Sequence, residues 1–144
     1  MGSLPAESYY SRLSHMNSRH IAVCSWSLQP SSPLDLIAKV KECGLNRIQL
    51  AINPLAQEET WADTVSVLQE AEIKVISGML EATGEDYASL EVIAQTGGVR
   101  PDETWSATWE NAKKVSSIAA DMGLHLVTFH AGFLPDEACE ERTK

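Results

Sequence analysis

The chain has 144 residues, enough for one domain that buries about two thirds of its unfolded surface. It is 44% hydrophobic and 22% charged, and its net charge of −9 comes without any basic cluster. That balance speaks against nucleic acid and anionic membrane surfaces as partners, and no apolar run reaches the roughly 20 residues that span a bilayer.

Residues 1–19 are polar and show neither a helical nor a strand period, so they read as a disordered leader or a cloning-derived segment. Ile21 to Trp26 is the first predicted strand, with Ile21 and Val23 on one face and Ala22, Cys24 and Trp26 on the other. Ser32-Pro33-Leu34-Asp35 opens a helix: serine caps, proline takes the first turn and aspartate reaches back as in a capping box. Its apolar stripe is Leu36, Ile37, Val40 and Cys43, and Gly44 ends it. Arg47 to Ile52 is the second strand. Thr60 to Asp63 opens a second helix with Trp61, Val65 and Leu68 on one face. Ile73 to Leu80 is the third strand. A long connection from Glu81 to Pro101 follows, with a short helix around Tyr87 to Ala94. Its length predicts a mobile lid. Asp102 then caps a long helix whose stripe is Trp105, Trp109, Ala112, Val115, Ala119 and Met122. Both tryptophans are assigned to helix–sheet packing. Gly123 closes this helix, and the fourth strand ends at His130. Asp136 to Lys144 reads as the start of another helix.

The units repeat in register. With Gly44, Glu72 and Gly123 superposed as helix stops, Ile48, Ile76 and Val127 align. On the other parity Gln49, Ser77 and Thr128 align, followed by Ala51, Met79 and His130. One strand face is aliphatic and the other mixed and polar. A doubly wound sheet buries both faces and wants continuous aliphatic strands. A (β/α)8 barrel accepts the mixed face, because its lumen borders an active site. The fold class is therefore α/β with parallel strands: a partial (β/α)8 TIM barrel of about four βα units, where a whole barrel takes about 250 residues. Three cysteines, an odd number without CxxC spacing, point to reduced thiols in a cytoplasmic protein. Cys24 and Cys43 read as small buried hydrophobes.

Ser25-Trp26-Ser27-Leu28, Ile76-Ser77-Gly78-Met79, Gly84-Glu85-Asp86-Tyr87, Thr96 to Trp105 (TGGVRPDETW) and Val127 to Pro135 (VTFHAGFLP) resemble the sugar phosphate isomerase/epimerase family of xylose-isomerase-like TIM barrels. The resemblance covers residues 20–144 as the N-terminal half of such a barrel. It implies carbohydrate metabolism, a small sugar or sugar phosphate as substrate, and proton transfer through an enediolate. A divalent metal (Mg, Mn or Zn) is expected for the full-length family, with ligands from later strands. None is expected for this chain alone, which is therefore expected to be inactive. It either pairs as a homodimer or lacks a C-terminal half.

The catalytic candidate is His130, at a strand end where parallel α/β enzymes place such groups. Substrate-binding candidates are Trp26 and Met79 on the lumen parity and Glu81 just past the third strand. Gly97-Gly98 with Arg100 has the composition of a phosphate cradle, although a flexible turn ahead of proline explains it as well. His125 reads as structural. Two rivals stand beside the isomerase: a non-catalytic half-barrel that binds or assembles, and, less favoured by the acidic charge, a metal phosphodiesterase like endonuclease IV.

Overall fold

The structure, a computed structural model, describes residues 21–133. Among them lie β1 (Val23–Cys24), a 3-10 turn (Trp26–Leu28), α1 (Pro33–Glu42), β2 (Arg47–Ala51), α2 (Asn53–Gln57), a second 3-10 turn (Glu59–Trp61), α3 (Thr64–Glu70), β3 (Lys74–Leu80), α4 (Leu90–Thr96), α5 (Asp102–Asp121) and β4 (Val127–Phe129). The leader and the helix predicted over Asp136 to Lys144 fall outside the described residues. The four strands form one all-parallel sheet in the order β1-β2-β3-β4. No described helix is long and apolar enough to cross a membrane.

The described chain divides into two compact units: residues 21–50 with Thr60–Ile76, and Ala51–Glu59 with residues 77–133. In the first unit Val23 pairs with Ile48 and Cys24 with Gln49. β1 is shorter than predicted. After Ser25 donates to the Gln49 carbonyl at 2.9 Å, the chain coils into its 3-10 turn, so Trp26 leaves the strand it was assigned to. Ser32 caps α1 by accepting from the Asp35 N–H at 3.2 Å. The Asp35 carboxylate reaches Ser31, not Ser32, taking its N–H at 2.8 Å, and pairs with Lys39 at 2.9 Å. These contacts, the Ser31 N–H foremost, lower the Asp35 pKa. Leu36 and Val40 are fully buried and α1 packs against α3. Cys43 is exposed at the end of α1 and Cys24 is half-buried, so neither is the core residue expected. α3 starts at Thr64 because the hydroxyl of that buried threonine bonds the Trp61 carbonyl at 2.6 Å, closing a 3-10 turn first.

The core of the second unit is Ile52, Leu80, Val115 and Ala119, flanked by Ala112, Ile118, Leu124 and Val127. Gly78 pairs with Val127, Met79 with Thr128 and Leu80 with Phe129. This is two residues from the repeat alignment, an even step that keeps every side chain on its face. The step sets a glycine beside Ile52, whose side chain fills the space a Cβ at Gly78 would need. α5 buries Thr108, Asn111, Val115 and Ala119. Trp105 and Trp109, predicted to pack on the sheet, are 49% and 52% exposed and stack on each other at 6.0 Å. The turn of the helix follows from hydrogen bonding: Thr108 and Asn111 are needed inward, which carries both tryptophans out. Asp102 is the first helical residue, and Pro101 occupies the cap position without a side-chain bond.

Candidate functional site

In the second unit, β3 and β4 end side by side and release Glu81 and His130. Glu81 is held through its backbone. Its N–H donates to Asn53 Oδ1 at 2.9 Å, and its carbonyl accepts from Asn53 Nδ2 at 3.0 Å and Asn111 Nδ2 at 3.2 Å. Both asparagines are buried. Two residues on, the Thr83 N–H donates to buried Thr108 at 3.1 Å. Strand-end backbone that would otherwise lack partners is thereby satisfied, while the Glu81 side chain keeps partial access to solvent. Partial burial of that carboxyl, and next the negative charge of Glu85, raise the Glu81 pKa.

Past Gly84, whose φ is +85°, the chain turns the Glu85 side chain inward until it is only 2% exposed. Its Oε1 lies 2.8 Å from His130 Nδ1, accepts the Gly98 N–H at 2.8 Å, and receives the Tyr87 hydroxyl at 3.4 Å. Desolvation, followed by the nearby Glu85 charge, raises the Tyr87 pKa. His130 is half-buried. Its carbonyl takes the Val99 N–H at 3.1 Å, and its ring meets Phe133 edge-on at 5.8 Å.

The connection from Glu81 to Pro101 is tied by hydrogen bonds at several points. Ser89 caps α4, Thr96 Oγ1 accepts from the Asp86 N–H at 3.1 Å, and Gly98 crosses directly over Gly132. A Cβ at Gly98 would overlap the Gly132 backbone, and one at Gly97 would lie 2.9 Å from His130 Cε1. The phosphate cradle at Gly97-Gly98 and Arg100 is therefore replaced by internal bonds. The Gly98 N–H is spent on Glu85, and Arg100 Nη1 donates to the Phe133 carbonyl at 2.6 Å.

Of the sequence candidates, His130, Glu81 and Met79 all lie in the second unit. Met79 is half-buried in β3 opposite Thr128, while Trp26 belongs to the first unit. His125 is exposed. Glu85, Asn53, Thr108 and Asn111 escaped the sequence reading. Glu85 stood inside a quoted motif, but nothing local ties it to a histidine 45 residues away. Asn53-Pro54 directly after a strand was the one available signal for Asn53.

Among the described residues no group of three or more His, Cys, Asp or Glu is arranged to hold a metal ion. The nearest donors fit one poorly, because His130 Nδ1 and Glu85 Oε1 already bind each other. Neither a family model, a curated protein nor a solved structure matches the chain significantly.

Proposed function

We propose that this chain is the first half of a xylose-isomerase-like barrel acting on a small sugar or sugar phosphate, with His130 and Glu81 handling its protons. The observation that carries the reading is a histidine and a carboxyl group of raised pKa released by neighbouring parallel strands at their C-terminal ends. A strand order that follows the chain without reversal supports a barrel segment over a doubly wound sheet, whose order switches direction. Isomerisation moves a proton at a carbon beside a carbonyl. An upward shift of the carboxyl pKa suits that work, since it makes the carboxylate a stronger base than an ordinary glutamate. An imidazole suits the accompanying exchange between hydroxyl oxygens. The oxyanion that develops needs an electrophile, which the later strands would supply.

A specific observation favours a second reading, a non-catalytic binding or assembly module: the tryptophan stack exposed on α5. Deuterium exchange separates the two. Aldose and ketose phosphates are incubated in D2O with Mn²⁺ and followed by NMR at the carbon beside the carbonyl. The chain alone should give no exchange. Joined to a polypeptide that supplies the later strands of such a barrel, it should exchange, and His130→Ala should slow this by about 10²-fold or more. Exchange indifferent to both His130→Ala and Glu81→Gln would remove the enzyme reading, and a downstream frame without such strands would favour the module.

A further inference from the structure

We propose that Glu85 is a positioning residue that locks His130 as its Nδ1–H tautomer, so that Nε2 presents a lone pair and accepts the proton of a substrate hydroxyl. The inference rests on the reading of His130 as the proton-handling residue and specifies which nitrogen works and in which direction. It starts from one oxygen. Glu85 Oε1 already accepts the Gly98 N–H at 2.8 Å and the Tyr87 hydroxyl at 3.4 Å, so both of these contacts use it as an acceptor. A third contact of the same kind, at 2.8 Å from His130 Nδ1, assigns the proton of this hydrogen bond to the ring nitrogen. In the neutral imidazole this leaves Nε2 unprotonated, because the bond made by one ring nitrogen decides the state of the other.

The surroundings leave little freedom for another arrangement. The Glu85 side chain is 2% exposed, so water cannot easily replace the imidazole as its partner. The ring is bounded by Phe133 on one side and by Gly97 on another, where a Cβ would lie 2.9 Å from Cε1. The Val99 N–H fixes the His130 carbonyl, so rotation of the backbone is also opposed. Among the described residues Nε2 has no hydrogen-bond partner. When Nε2 takes a hydroxyl proton, a new N–H bond forms and the O–H bonding pair stays on the substrate oxygen. The ring becomes an imidazolium whose charge faces the Glu85 carboxylate. Return of the proton from Nε2 restores the starting state. Glu85 therefore touches no substrate and acts only through His130.

Imidazole ¹⁵N NMR of the whole chain tests this without substrate, at a pH where the ring is neutral, with His130 assigned by the signals lost in His130→Gln. Wild type should show Nδ1 in the protonated, pyrrole-type range and Nε2 in the unprotonated, pyridine-type range. Glu85→Ala should reverse or mix the two, and Glu85→Gln, which keeps an acceptor oxygen, should hold the wild-type tautomer. If Glu85→Ala does not fold, the wild-type spectrum decides by itself. A protonated Nε2 in wild type overturns the proposal, as does an unchanged tautomer in folded Glu85→Ala. The stated tautomer without deuterium exchange in the joined chain would fell only the isomerase reading. Exchange with the opposite tautomer would fell only this one.

Discussion

Two single residues carry testable energetics at the end of β3. Glu81 has a raised pKa, so between the ordinary glutamate value of 4.5 and its native value the folded state binds more protons than the unfolded chain. Stability from this group is present below 4.5, falls as pH climbs through that window, and stays lowered above it. Glu81→Gln removes the titration. Its melting temperature should match wild type below pH 4.5 and exceed it above the window, with the difference levelling off at higher pH. A constant offset across pH would show that Glu81 is not perturbed. Asn53 acts by the opposite logic, holding the N–H and carbonyl of Glu81 through two partly buried hydrogen bonds. Asn53→Ala strands the Glu81 N–H and should cost about 1–3 kcal/mol in urea unfolding. A loss of a few tenths would mean that water takes over the bond.

The elements end and turn for reasons that can be separated. Gly44, Glu72 and Gly123, superposed in the repeat as helix stops, all adopt left-handed φ values of +68°, +60° and +68°. Glutamate meets a clash there that glycine avoids, offset by the greater freedom of glycine in the unfolded chain. Glu72→Gly should therefore stabilise by about 0.5–1 kcal/mol, and a loss of stability would point to a contact of the Glu72 side chain. For α5 the question is which face is inside. A tryptophan packed in a core costs about 3–5 kcal/mol on truncation to alanine, whereas one held only by an exposed stack should cost within about 1.5 kcal/mol. Denaturation of Trp105→Ala distinguishes these, and a loss in the upper range would restore the inward orientation.

At the scale of the molecule, β1 and β4 close the sheet order at its two ends, and among the described residues each pairs on one side. Edge strands of this kind template further pairing. Ile21, Leu126 and Phe129 are 46%, 57% and 53% exposed at or near them, which adds apolar surface at both ends of the sheet. We expect self-association, or union with further strands, at micromolar concentration in light scattering. A monodisperse monomer there would show that the edges are covered in some other way.

The sequence by itself determined the alternation of strand and helix, the Ser32 cap and the helix stops, because these depend on residues a few positions apart. It also placed His130 and Glu81 at strand ends, since strand ends follow from the same local periodicity. Tertiary structure decided the rest. Glu85 becomes a partner of His130 only when a connection of about twenty residues folds back, and Gly97-Gly98 becomes a crossing instead of an anion cradle only when Gly132 arrives beside it. The face of α5 shows the reason most directly. Its apolar periodicity favours the stripe containing the tryptophans, whereas the face that is buried carries Thr108 and Asn111 together with Val115 and Ala119. The buried amide and hydroxyl groups demanded by the end of β3 select the other, and that demand comes from residues distant in the chain, which no local pattern encodes.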